Sequence, residues 1–291
     1  MSILENYNKH ERDEFLQFDE VWHKYTYTLD PELKLVSVTG LLHDCFEEFN
    51  MDLVIAKLIR FAKPGSKYAG KTQADIKKEW QLANLRGTLL HEKIELFMNS
   101  ETCPYPYTHE QLLDSILSEK VSEGEEEGEE EGEKKEEGEE GEIEDKGWEL
   151  FLSFAEMFES KIPFRTEWRV YDIEHQISGS IDMVYLNPED NTLSIFDWKR
   201  TTDLEKRTGF RNKMSIRFPS SIPDTKFHKY SLQLNIYKAI VERNYGYRVK
   251  ELFLVGLHPQ NVSGTFQLMK CIDLSEEVDE LFQDRLKQIS N

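Results

Sequence analysis

The chain is short of what small secreted proteins, zinc ribbons and membrane proteins depend on. Its 291 residues include three cysteines, Cys45, Cys103 and Cys271, far apart and with no CxxC pair. That spacing argues against a disulfide framework, a zinc ribbon and a four-cysteine iron–sulfur cluster. No apolar run approaches membrane-spanning length, so no membrane partner is expected. The opening MSILENYNKHERDEF has neither the apolar core of a secretory signal nor the Arg-rich, acid-poor look of a transit peptide. A soluble cytoplasmic or nuclear protein is the expectation. Excess positive charge is missing too: the formal net charge is −20, which at first argues against a nucleic-acid partner, because phosphate binding rests on Lys and Arg.

The distribution of charge reverses that impression. Residues 121–146 hold 15 acids and three lysines, so −12 of the total sits in one Glu/Gly stretch and −8 remains for everything else. From Val54 to Lys93 nine Lys/Arg face three acids, and from Phe196 to Lys229 nine face four. Both segments are candidate tracks for a polyanion, with Lys57, Arg60, Lys63, Lys67 and Arg86 in the first. Arg200, Lys206, Arg207, Arg211, Lys213, Arg217 and Lys229 are the candidates in the second.

Periodicity organises the rest. Short apolar runs before residue 45, including Val36-Ser-Val38-Thr39, suggest a strand or two, followed by a helix from about Asp52. Thr72-Gln-Ala-Asp75 is a capping-box pattern opening a long helix through His91 to Phe97, and Thr108-His-Glu-Gln111 opens a shorter one. The Glu/Gly repeat buries too little apolar surface to offset its ordering entropy, which predicts disorder over 120–146. A helix over Trp148–Phe158 follows, then strands over Phe164–Val170, Gly179–Leu186 and Thr192–Trp198. A helix over Tyr230–Val241, strands over Glu251–Leu257 and Thr265–Ile272, and a last helix capped by Ser275 complete the chain. The expected class is α/β, a mixed central sheet flanked by helices, in a single domain over 1–291. Residues 1–119 form its N-terminal strands and helices, 120–146 an insertion, and 147–291 the sheet and C-terminal helices.

Strand geometry then groups the acids. Treating the connections at Glu174-His175 and Glu189-Asp190 as two-residue hairpins sets Glu167 opposite Asp182 and Asp182 opposite Asp197. Opposed Cβ atoms lie about 4.5–5.5 Å apart, so three carboxylates would line one sheet face. Alternation brings Lys199 to that face and turns Trp198 into packing. A row of carboxylates needs a counter-charge, and oxygen ligands with one imidazole select Mg²⁺ or Mn²⁺. Such a cation polarises a phosphoryl oxygen, and an adjacent lysine neutralises the charge that develops there, which is the chemistry of phosphodiester hydrolysis.

Gly179-Ser-Ile-Asp182 and Asp197-Trp-Lys199 resemble the GxxD and DxK motifs of the PD-(D/E)XK nucleases. Gly87-Thr-Leu-Leu-His91-Glu-Lys-Ile-Glu95 and Gln233-Leu-Asn-Ile-Tyr237 are similar to the GxxxHxxxE and QxxxY helices of the RecB-like branch. Together with Ser37-Val-Thr39, the Asp-Trp-Lys wording resembles the exonuclease family of mitochondrial genome maintenance and of large DNA viruses. The resemblance implies a restriction-endonuclease-like fold and a metal-dependent DNA exonuclease acting on single-stranded or frayed duplex ends, in a virus or a cell. It implies Asp182, Asp197, His91 and the Trp198 carbonyl as metal ligands, with Lys199 as the catalytic lysine. Glu167 would bind or orient at the metal, and Gln233 and Tyr237 would brace the site or hold a phosphate.

Overall fold

The computed structural model describes residues 2–100, 137–202, 204–217, 222–261 and 263–290, without the side chains of 137–145 and Arg211. The Thr108 capping pattern, Cys103 and residues 120–136 lie outside the described residues. Helix α1 (Ile3–Tyr7) and a 3-10 turn (Glu11–Phe15) lead into a small hairpin, β1 (Leu16–Asp19) and β2 (Lys24–Tyr27). Strand β3 is two residues long, Val36–Ser37, because Ser37 Oγ accepts from the Gly40 N–H at 3.0 Å and starts helix α2 (Val38–His43). The run Val36–Thr39 is thus a strand end and a helix start, in a region where the sequence pattern suggested a strand or two.

Helix α3 is Met51–Arg60 and helix α4 is Gln73–Met98. The capping box of α4 forms as expected: Thr72 Oγ1 accepts from Asp75 N and the Asp75 carboxylate accepts from Thr72 N. Its buried stripe, Ile76, Leu90, Ile94, Phe97 and Met98, fixes the rotation that carries His91. Helix α5 is Glu137–Met157, so it starts upstream of the expected Trp148. Glutamate is a good helix former, and acids at a helix N-terminus complement its dipole.

The main sheet has six strands: β3, β4 (Ile162–Asp172), β5 (Ile177–Asn187), β6 (Thr192–Lys199), β7 (Val249–Gly256) and β8 (Gln267–Lys270). It is mixed, since β5 pairs antiparallel with β4 and β6 while β6–β7 and β3–β5 are parallel. Strand β4 runs along one edge of β5 throughout. On the other edge β6 pairs only with Met183–Asn187 and β3 with Ile177–Ser178, so the sheet forks open beside residues 179–182. Helices α6 (Lys226–Asn244) and α7 (Ser275–Ile289) pack one apolar cluster with Ile195, Leu254, Leu232 and Ile240. Helices α4 and α5 pack a second one, in which Phe151 and Phe154 meet Trp198 edge-on. Ser275 is the first residue of α7 and not its cap: its hydroxyl donates to Asp273 at 2.5 Å, and Leu274 precedes the helix.

Both hairpins keep the register that the motif positions required, with loops of a different length. Trp168↔Ile181 and Thr166↔Met183 bracket a Glu167–Asp182 pair, and Met183↔Phe196 stands one step before Asp182–Asp197. The connections are four residues, 173–176 and 188–191, where two-residue loops were expected. The end pairs Asp172↔Ile177 and Asn187↔Thr192 close these wider turns about the same centres, so the opposed pairs are unchanged. Among the described residues no helix is long and apolar enough to cross a membrane.

Candidate active site

The fork in the sheet is where the motif residues meet. His91 reaches it from α4, with Nδ1 3.5 Å from Asp182 Oδ2 and Nε2 3.0 Å from the Trp198 carbonyl. Asp182 Oδ2 also accepts the Trp198 N–H at 2.9 Å, which replaces a backbone ladder bond just where β5 and β6 part. Glu167 Oε2 accepts from Ser180 Oγ at 2.9 Å. One ligand atom each from His91, Glu167 and Asp182 lies within 4.8 Å of the other two. Asp197 Oδ2 sits instead 2.6 Å from Lys199 Nζ. The expected row of three carboxylates is thus a cluster of two carboxylates and an imidazole, flanked by an Asp–Lys pair.

A backbone irregularity lies at the first of these carboxylates. Glu167 has φ +42°, a left-handed conformation rare for a residue with a side chain. Strict alternation would send Thr166 and Glu167 to opposite faces. Both face α4: Thr166 Oγ1 accepts from Asn99 at 2.7 Å, and Glu167 shares a cleft with Glu95. Across the pair, Met183 packs in the α4–α5 cluster while Asp182 meets His91 of α4, so two successive residues of β5 also share a side.

Electrostatically the cluster is frustrated without a cation. Burial, then Asp182, pushes the Glu167 carboxyl up to about 8. Burial raises Asp197 to about 7, with Lys199 pulling the other way and Asp182 adding to the rise. Burial opposes the charge on Lys199, yet Asp197 and Asp182 outweigh it and hold the ammonium above its ordinary value. Both His91 nitrogens face oxygens, Nδ1 the Asp182 carboxylate and Nε2 the Trp198 carbonyl. Carboxylates, a carbonyl and one imidazole form a donor set for a hard divalent ion, and the residues present fit one.

The sequence matches the model of the PD-(D/E)XK nuclease superfamily over residues 57–291. The chain belongs to that superfamily. Its members are hydrolases that cleave nucleic acids with divalent metal ions, so the fork of this nuclease is read as a metal-dependent nucleic-acid-cleaving site. No curated protein matches the chain.

A cleft of about 1170 Å³ opens over the nuclease site, lined by His91, Glu95, Glu167, Ser180, Lys199 and Arg200 among others. The Lys199 ammonium lies 4.6 Å from the centre of the Tyr230 ring. Tyr237 of α6 is buried and passes so close to Gly179 that a Cβ there would lie 2.7 Å from its Cε1. The glycine of the GxxD motif is therefore a space requirement. Burial holds the Tyr237 hydroxyl well above its ordinary pKa, against a hydrogen bond with the half-buried Gln233.

The candidate phosphate contacts divide by environment. Lys57, Arg60, Lys63 and Lys67 are exposed on α3 and the segment after it, and Arg86 is half-buried on α4. Burial first, then the nearby Arg200, Lys226 and Lys67, lowers His258 to about 4, and of these Arg200 lines the cleft. Lys206 is exposed and Arg211 has no described side chain. Arg207 stacks 3.4 Å from the Phe227 ring centre and donates to the Leu204 carbonyl. Lys213 pairs with Glu47, Arg217 with Asp284 and Asp44, and Lys229 with Asp224. Sequence reasoning missed Ser180, Arg169, Lys226 and Tyr230. Ser180 had a usable signal, since in the true register it faces the strand of Glu167.

Proposed function

We propose that this nuclease is a Mg²⁺- or Mn²⁺-dependent DNA exonuclease of the RecB-like branch, similar to the mitochondrial genome maintenance and large-DNA-virus exonucleases. Its substrates are single-stranded or frayed ends, in replication, recombination or repair. Residues 1–291 act as one nuclease unit, with the acidic stretch as an insertion. The observation that carries the reading is the meeting of His91, Glu167 and Asp182 at the sheet fork, beside Asp197 and Lys199. His91, Asp182, Asp197 and Lys199 come from the helix and two strands that carry the GxxxHxxxE, GxxD and DxK motifs, and Glu167 from the neighbouring strand β4.

Asp182, Asp197, His91 and the Trp198 carbonyl would hold the ion, with Glu167 beside them. When bound, a divalent cation supplies Lewis-acid polarisation of a phosphoryl oxygen and a more acidic water. Lys199, charged across the neutral range, neutralises charge that builds on the phosphate in the transition state. Glu167, oriented by Ser180, accepts the proton of the attacking water. Tyr237 and Gln233 position β5 through contact with Gly179. Arg200 lines the cleft, and Lys67 and Lys226, near it around His258, would extend the contact with the polyanion.

The test is digestion of end-labelled single- and double-stranded DNA, end-blocked circles and RNA with Mg²⁺, Mn²⁺ or EDTA. Mononucleotide release from free ends, abolished by EDTA and absent with circles, is expected. Cleavage of circles would make the protein an endonuclease, preferential RNA cleavage an RNase, and binding without cleavage an inactive module.

A further inference from the structure

One part of the cleft wall has no role in the chemistry above. The β1–β2 hairpin contributes Phe18, Glu20, His23 and Tyr25 to the same cleft that holds His91, Glu167 and Lys199. Phe18 and Tyr25 are cross-strand partners with ring centres 4.6 Å apart, and His23 lies 5.9 Å from Phe18. Arg169, two residues beyond Glu167 on β4, ties the hairpin to the site: its guanidinium is 5.5 Å from the Phe18 ring centre and 4.0 Å from Glu20. Tyr25 has Arg169 and Glu167 as its electrostatic neighbours. At the tip Trp22 is 79% exposed, and Val21 beside it 81%. The turn keeps this shape through Asp19, which accepts the Trp22 N–H at 2.9 Å, and through His23, with φ +47°.

Cross-strand packing accounts for the Phe18–Tyr25 pair and leaves the rest unexplained. An indole left in water at the mouth of a polar cleft costs hydrophobic free energy that a buried one would recover. A flat ring system open on one face is what an unpaired base stacks on. Asp19 and Glu20 at the tip repel phosphate, so a base, and not the backbone, is the part of a nucleic acid that this surface accepts. A cation that suits the backbone, Arg200, lines another part of the same cleft.

We infer that the aromatic tip of the β1–β2 hairpin, Phe18, Trp22 and His23, is a stacking platform for an unpaired base next to the scissile phosphate, giving the enzyme its preference for unpaired strands. The inference rests on the proposed nuclease function and names the element that selects single-stranded substrate. These three are positioning residues, since they touch the substrate away from the reacting atoms.

The full chain is titrated in Ca²⁺, by fluorescence anisotropy, with a thymidylate 12-mer and with a 12-mer of the same backbone made of abasic sites. Wild type should bind the base-bearing strand about tenfold more tightly, the scale of one or two stacked bases. Trp22→Ala removes an exposed ring, Phe18→Leu keeps apolar contact, and His23→Asn keeps a residue tolerant of positive φ. Each should lower that ratio, and the triple variant should bring it within about twofold of unity, with a raised KM for the base-bearing strand and an unchanged thermal midpoint. A wild-type ratio near one, or a triple variant that folds and keeps the full ratio, overturns the inference. A wild-type protein that shows the ratio and loses it in the variants, yet cleaves nothing in Mg²⁺ or Mn²⁺, upholds the platform and sinks the proposed activity instead.

Discussion

Gly179→Ala tests the reasoning about the site at a single methyl group. The added Cβ would lie 2.7 Å from Tyr237 Cε1 and 2.9 Å from its hydroxyl, against 3.4 Å or more for ordinary contacts. Tyr237 is 4% exposed and lies on a helix packed across the sheet, so it has nowhere to go without moving α6 from β5. Overpacking of this kind costs about 1–3 kcal/mol, a fall of roughly 2–12 °C in thermal midpoint at about 2–4 °C per kcal/mol for a chain somewhat shorter than this one. A double-mutant cycle with Tyr237→Leu isolates the contact by urea unfolding. The leucine variant alone loses buried ring volume and the bond to Gln233, on the order of 2–4 kcal/mol. In that background Gly179→Ala should cost less than about 0.5 kcal/mol, giving a coupling above about 0.5 kcal/mol. Additive losses, or a neutral Gly179→Ala, would refute the claim that the motif glycine exists to let the tyrosine pass.

Asp182→Asn should lower kcat by on the order of a hundredfold or more while folding is kept or improved, because Asp182 repels Glu167 and Asp197; residual activity above about a tenth would remove it from the machinery. His91→Ala should raise the half-saturating metal concentration about tenfold or more, and an unchanged metal titration would make His91 structural. Metal affinity should rise with pH: Glu167 at about 8 and Asp197 at about 7 both lie above their ordinary values, so below pH 7 a cation must displace protons, and the competition fades above pH 8. The same shifts make the metal-free protein lose stability as pH climbs towards 8; calorimetry in buffers of different ionisation enthalpy that finds no proton release at pH 6.5 would contradict both statements. Lys63→Gln and Lys67→Gln should each reduce the slope of log K against log salt by about 0.7 for a single strand, whereas Lys213→Gln should reduce it less, since Glu47 already neutralises that charge.

Much of the fold was legible because β-strand pairing is arithmetic. Once the turn centres near residues 174–175 and 189–190 were read, the opposition of Glu167, Asp182 and Asp197 followed, and loop length did not disturb it. Helix α4 was equally legible, since its cap and its apolar stripe agree. What could not be read was φ at Glu167. A left-handed residue in the middle of a strand leaves no composition signal, yet it sets where the Glu167 side chain leaves the backbone; strand arithmetic also could not say that His91, and not Asp197, joins Glu167 and Asp182 in the closest cluster. The charge count misled in another way. Lys213 and Arg217 belong to a basic segment, but each has an acid from outside that segment within 4 Å, which no local count of charge registers.

The strain at Glu167 and the repulsion around it belong to one device. A left-handed residue with a side chain costs on the order of 1–2 kcal/mol, and here it turns a carboxylate towards a second one inside a buried fork. Neither cost serves the metal-free fold: a leucine at 167 in regular β conformation would relieve both. The surrounding structure over-determines the arrangement, because Trp168 behind Glu167 is fully buried and donates to Asp13, while Thr166 before it is held by Asn99. Two anchored neighbours leave the intervening residue no freedom to relax. The site therefore arrives at its ligand already assembled, so little reorganisation is left for the moment when a cation and a phosphate enter.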